Sequence, residues 1–163
     1  METATLWQRA LEDPALQELP FKIESNEHGQ LLLSPHTPRH SLLQSRVMRL
    51  LDRHATGAGE ATVEFAVRTS RGVRVPDVVW ISEERLAQIP DDAEASPVMP
   101  ELIVEVVSSS NTETGMQERR DLYFEEGASE VWLCDENGAL TFFDASGEIN
   151  KSTLAPSSPK VVS

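Results

Sequence analysis

Two carboxylates stand where the chain is otherwise apolar. Asp77 follows Pro76 inside VRVPDVVWIS, and Glu105 sits within PELIVEVVS, a β-branched run with the composition of a strand buried on both faces. Burying an unpaired carboxylate costs several kcal/mol or more unless it is protonated, paired or bound to a metal. Taken singly, each acid is also explained by a strand end leaning into water. Taken together, on strands that short connections make neighbours, they form a pair able to hold a hard divalent cation such as Mg2+, which takes oxygen ligands. Arg119 adds a positive charge. At 100° per residue it shares a helix stripe with Met116, Leu122, Tyr123 and Glu126, so it points from the core-facing side. It reads either as an arginine snorkelling along the helix edge or as a cation held near Asp77 and Glu105 to position a phosphate. His40 shares an apolar stripe with Leu43 and Val47, either as a hydrogen-bonded core histidine or as a member of the site.

The elements that must position these residues follow from periodicity and punctuation. Thr5 to Leu11 reads as a short helical lead, and FKIESNEHGQLLLS as two strands joined by a turn ending at Gly29. Thr37 caps a helix that has Pro38 at its first position, a stripe of Leu43, Val47, Leu50 and Leu51, and a stop at Gly57. ATVEFAVRT and VRVPDVVWIS then read as two strands around a turn at Gly72, the second carrying Asp77 on the face of Val75, Val79 and Ile81. From Ser82 to Pro100 the chain is an acidic, proline-bounded loop with one helical turn near Glu84 to Gln88, the segment most apt to move.

The Glu105 strand comes next, then a helix with a weak capping box at Thr114 and Gln117 and a terminator at Gly127. SEVWLCD and ALTFFD form a hairpin across ENG, whose Asn-Gly pair favours a type I′ turn. KSTLAPSSPKVVS reads as a loosely held tail. This order gives an α/β fold with a mixed central sheet flanked by helices and an N-terminal β-hairpin, the strand after the second helix lying parallel to the Glu105 strand. A single domain is expected over residues 1–163, with a lead over 1–20, a core over 21–144 and a tail over 145–163. Other candidates have plain structural readings: exposed contexts for His28, His36 and His54, a solvated strand start for Glu101, core packing for Trp132, and loop and cap for Ser108 to Ser110.

Composition narrows the function classes. The chain carries 14 basic and 27 acidic residues for a formal charge of −13, which opposes casual binding to nucleic acid, whose non-specific affinity comes from Lys and Arg neutralising phosphates. Cys134 is the single cysteine, so an internal disulfide framework and a cysteine-built metal site are both excluded, and a reducing compartment suits the chain. The N-terminus carries acids where a signal peptide needs a basic start, and no apolar run is long enough to span a membrane, so a cytoplasmic protein is expected.

RVPDVVWIS, PELIVEVVSSSNT and ERRDLYFEEGASEVWLCD, in that order, resemble the successive core motifs of a bacterial family of "putative restriction endonucleases" within the PD-(D/E)XK nuclease superfamily. The upstream GQLLLSPHTPRHSLL resembles that family's hairpin, Ser-Pro pair and helix-borne histidine, so the likeness runs from about Phe21 to Asp144. The resemblance implies a restriction endonuclease-like fold that hydrolyses DNA, with Asp77 and Glu105 binding Mg2+ (Mn2+ as substitute), Arg119 in the catalytic set, and His40 and Tyr123 as accessory residues. It also implies a homodimer, so that both strands of a duplex are cut. The superfamily lysine would stand two residues after Glu105, where this chain has Val107; in the family it stands on the helix four residues before the tyrosine, where this chain has Arg119. Arginine keeps the charge but stays protonated and cannot act as a base. The competing expectation is a silent interaction module on a nuclease fold, in which Arg119 pairs with Glu105 or Asp77.

Overall fold

The computed structural model describes residues 3–163. Helices α1 (Thr3–Glu12) and α2 (Pro14–Gln17) lead into a hairpin of β1 (Phe21–Ser25) and β2 (Leu31–Pro35). Helix α3 (Pro38–His54) follows, then β3 (Gly59–Val63), β4 (Val67–Thr69), β5 (Gly72–Arg74), β6 (Val78–Ser82) and the single turn α4 (Glu83–Leu86). The remainder is β7 (Leu102–Val106), α5 (Glu113–Glu125), β8 (Glu130–Cys134), β9 (Leu140–Asp144) and β10 (Gly147–Ile149).

Six strands form the central sheet in the order β10-β9-β8-β7-β6-β3, with β7 and β8 parallel and every other neighbouring pair antiparallel. All five residues of β7 are buried, because the sheet is covered on both faces. Thr37 accepts a hydrogen bond from the His40 amide and starts α3, whose Leu43, Val47, Leu50 and Leu51 pack on Val104, Trp132 and Phe142. Pleating sends alternate residues to the opposite face, where Val79, Ile103 and Val131 meet Tyr123 of α5. Ile103 is fully buried, and truncating it to alanine would cost about 2–5 kcal/mol. Glu105 lies two residues from Ile103 and therefore faces the α5 side.

The hairpin is held over one end of the sheet by a third cluster, in which Trp7 and Ala10 of α1 pack with Val73, Val75 and Ala95 and against Ile23 and Leu31. Ser25 Oγ accepts from the Val73 amide at 2.9 Å. Gly72, at φ 94°, lets the β4–β5 turn approach the Ser25 backbone more closely than any side chain would permit.

Several expectations need correction. Each long strand read between residues 61 and 82 is two short ones: Glu64 takes a positive φ of 49°, and Pro76, which has no N–H to give a ladder, separates β5 from β6. Asp77 is thus in a strand break, not a strand. Its carbonyl accepts from the Glu64 amide at 3.0 Å and from Gln44 Nε2 at 2.9 Å, which satisfies the backbone off the ladder. Thr112, not Thr114, caps α5 by accepting from the Gly115 amide. The 135–138 turn is not type I′, since Asn137 keeps a negative φ; the Gly138 amide closes on the Asp135 carbonyl, and Gly138 takes the left-handed position.

The acidic loop is fastened by paired backbone bonds between Ser96 and Ala66 and Arg68. Glu101 is not solvated but accepts from the Ser82 amide at 3.0 Å. The tail is tied down rather than loose: the buried Glu130 carboxylate accepts from Ser152 Oγ, Trp132 Nε1 and the amides of Thr153 and Leu154, all within 3.0 Å.

Candidate active site

The antiparallel register pairs Val78 with Val104, so the residue before β6 comes opposite Glu105. The two acids then fasten each other's strand. Glu105 Oε1 accepts from the Asp77 amide at 3.1 Å, and Asp77 Oδ2 accepts from the Val106 amide at 2.8 Å. Each carboxylate keeps its second oxygen for a cation. Asp77 Oδ1 is 3.0 Å from Lys22 Nζ and 3.4 Å from His40 Nε2, while Glu105 Oε2 is 3.2 Å from Arg119 Nε.

Arg119 makes its strongest contacts with a third acid. Its two terminal nitrogens donate to both oxygens of Glu24, at 3.2 and 2.7 Å, in the bidentate geometry that suits guanidinium and carboxylate. Nη2 also donates to Tyr123 Oη at 2.9 Å, and that hydroxyl lies 3.4 Å from Glu105 Oε1. Glu24 Oε2 accepts from the Val75 amide at 2.7 Å. Lys22, Asp77, Glu105, Arg119 and Glu24 therefore form one chain of contacts that joins three buried acids to two cations, with Asp77 and Glu105 linked to each other through backbone amides.

Burial pushes the Asp77 carboxyl up, but the His40 hydrogen bond, the Lys22 charge and the Val106 amide outweigh it and hold the group at about 2. Glu105 goes the other way: burial raises it, Arg119 opposes this, and the neighbouring Asp77 charge adds to the rise. For Glu24, burial is outweighed by Arg119 and Lys22, which lower it. Lys22 is raised because the charges of Glu105, Asp77 and Glu24 overcome its desolvation.

These groups line a cleft of about 360 Å³ that Leu33, Pro35 and His36 border on the hairpin side. Among the described residues, no three His, Cys, Asp or Glu side chains converge as a metal-ligand cluster. Two carboxylates are nonetheless a fitting donor set for Mg2+, which usually keeps several waters and takes one or two carboxylates together with substrate phosphate. Asp77 Oδ1 and Glu105 Oε2 fit that description, each on a carboxylate whose other oxygen is anchored to backbone.

Residues 12–156 match the family model "Uma2: Putative restriction endonuclease". The chain belongs to this family. A crystal structure described as a "putative nuclease belonging to DUF820", from Anabaena variabilis, shares the fold at a TM-score of 0.67 and 17% identity, over 85% of this chain and 78% of that one. No curated protein matches. Membership points to nuclease activity, to divalent-metal use and to a nucleic-acid substrate. No helix among the described residues is long and apolar enough to cross a membrane.

Asp77, Glu105, Arg119 and His40, all singled out from the sequence of this family member, line the one cleft, and Tyr123, fully buried, joins them through its hydroxyl at Arg119 and Glu105. Sequence reasoning missed Lys22 and Glu24. Their only signal is the alternation of charged with apolar residues in FKIE, which puts Lys22 and Glu24 on one face of β1 and Ile23 on the other. The expected partner of Arg119 was Glu105 or Asp77; Glu105 is within reach, but Glu24 takes the fork. Val107, at the superfamily's lysine position, only extends the β7–β8 pairing through its amide to the Cys134 carbonyl.

Proposed function

We propose that this chain is a metal-dependent endonuclease that hydrolyses DNA phosphodiester bonds at the Asp77/Glu105 site. The observation that carries the reading is the reciprocal arrangement of the two acids, each with one oxygen bound to the opposite strand's backbone and one turned toward a cation in the cleft. Asp77 and Glu105 would hold Mg2+, which when bound supplies Lewis-acid polarisation of the phosphodiester and acidification of water. Lys22 answers the lysine missing after Glu105: an ammonium is a compact charge with three donors, suited to a phosphate oxygen. Arg119, forked onto Glu24, fixes the hairpin relative to α5 and keeps positive charge beside Glu105. His40 orients Asp77, and Tyr123 supports Arg119.

One observation favours a second reading. The ion-pair chain is already closed by Lys22 and Arg119, as a silent relative that uses these charges for structure would have it. Plasmid nicking with Mg2+ or Mn2+, alongside melting temperature against metal concentration, separates the two. The endonuclease reading expects wild-type nicking to vanish in Asp77→Asn and Lys22→Met, and a metal-dependent rise in Tm to vanish in Asp77→Asn. Absence of nicking and of metal stabilisation in the wild type would establish the silent reading instead.

A further inference from the structure

Helix α3 runs against the charge of the chain. The protein carries 14 Lys and Arg against 27 Asp and Glu, yet α3 holds Arg39, Arg46, Arg49 and Arg53 with Asp52 as its one acid. At 100° per residue these four arginines fall within an arc of about 80°, flanking the stripe that Leu43, Val47 and Leu50 turn to the core. Arg39, Arg49 and Arg53 are exposed and Arg46 is half-buried. Among the described residues, the side chains of Arg46, Arg49 and Arg53 make no ion pair or hydrogen bond, whereas Lys22, Arg85 and Arg119 each hold an acid. Like charges three and four residues apart on a helix repel one another. The stripe is therefore unfavourable alone and favourable against a polyanion.

Its position gives that polyanion a route. A groove of about 490 Å³ lined by Thr37, Arg39 and Asn137 shares His40, Val106 and Ser108 with the candidate active site. Farther along the helix, Arg46, Arg49 and Arg53 border a hollow beside Val161 and Val162. From Arg39 to Arg53 the helix rises roughly 21 Å, the axial rise of about six base pairs of a duplex.

We infer that the arginine stripe of α3 is the track along which the DNA backbone enters the cleft, a contact to phosphates and hence independent of base sequence. The inference rests on the endonuclease reading. It accounts for how so acidic a protein holds a polyanion: the contact is confined to one helix that begins beside Asp77.

The test is fluorescence-anisotropy binding of a random-sequence duplex in chelator over a salt series, comparing wild type with Arg46→Gln/Arg49→Gln/Arg53→Gln. Each phosphate that the protein no longer neutralises flattens the slope of log affinity against log salt by about 0.9, so in the triple variant the slope is expected to fall by roughly two to three and the affinity at 0.1 M salt by about a hundredfold or more. Its Tm should equal or slightly exceed that of wild type, because the like-charge repulsion along the helix is relieved, and its Mn2+-induced rise in Tm should match wild type. The corresponding triple lysine variant should keep the slope, which separates charge from fold. Wild-type cleavage with an unchanged slope in the glutamine variant overturns the stripe and leaves the endonuclease reading standing. A glutamine variant that binds DNA normally but no longer self-associates by light scattering overturns it too, assigning the stripe to a second copy of this acidic chain. Wild type that neither binds nor cuts DNA overturns both readings.

Discussion

Replacing Asp77 by asparagine keeps the shape of a side chain that is 2% exposed while removing its charge. The folded protein holds this carboxyl at about 2 against an ordinary value of 3.8. At about 1.36 kcal/mol per pH unit, that gap corresponds to roughly 2.5 kcal/mol of folding stability at neutral pH. A depressed carboxyl stabilises above its unfolded value and loses that contribution as pH falls through its folded value. The difference between wild type and variant should therefore be constant from pH 7 to 5, about halved by pH 3, and gone near pH 1. Asparagine still offers one oxygen to the Val106 amide, but it leaves the Lys22 ammonium, 3.0 Å away and 9% exposed, without its acid. The Lys22 attraction is already one cause of the depressed Asp77 value, so the expected loss stays at roughly 2.5 kcal/mol. Urea unfolding in chelator at pH 7, 5, 4 and 3 measures it. A loss under about 0.5 kcal/mol at pH 7, or a difference that does not shrink in acid, would refute the linkage reasoning. Adding Lys22→Met to Asp77→Asn should recover most of the loss, because the buried pair is then replaced by uncharged groups.

Glu105→Gln should be neutral or stabilising in chelator at pH 7: burial raises this carboxyl, so its ionised form weakens the fold as pH climbs through the raised value. Urea unfolding showing a loss of about 3 kcal/mol or more would make Glu105 one half of a structural ion pair. Arg119→Ala should cost about 3–5 kcal/mol at neutral pH and less in acid, since it leaves Glu24, 2% exposed, without its fork. Under the endonuclease reading it also abolishes Mn2+-dependent nicking, whereas Arg119→Lys retains or raises nicking while losing part of that stability; equal nicking in wild type and alanine variant would remove Arg119 from the site. Glu130→Ala should free residues 152–162, because the amides of Thr153 and Leu154 lose their acceptor at about 1–3 kcal/mol each; hydrogen exchange confined to that segment checks it, and unchanged protection there would count against the anchor.

Local signals carried much of this protein. Period and capping marked α3 and its Thr37 cap, the stripe of α5 that aims Arg119 inward, and the parallel pairing of the two strands around it. The acids were legible because Asp77 and Glu105 interrupt apolar runs, and an interruption of that kind is visible without a structure. What covers a buried face is a different matter. Lys22 and Asp77 are 55 residues apart, and Glu24 and Arg119 are 95 apart, so no periodicity links them. Their meeting depends on how α1 and the Gly72 turn seat the hairpin over the sheet. Strand alternation ran through Pro76 because side-chain period says nothing of whether a ladder partner exists; the carbonyl of Asp77 found Gln44 and Glu64 instead. The tail read as loose from its Ser and Pro content, yet one buried carboxylate on β8 holds it. A sequence records which side chains want burial or a partner, and packing between distant segments decides which partner each receives.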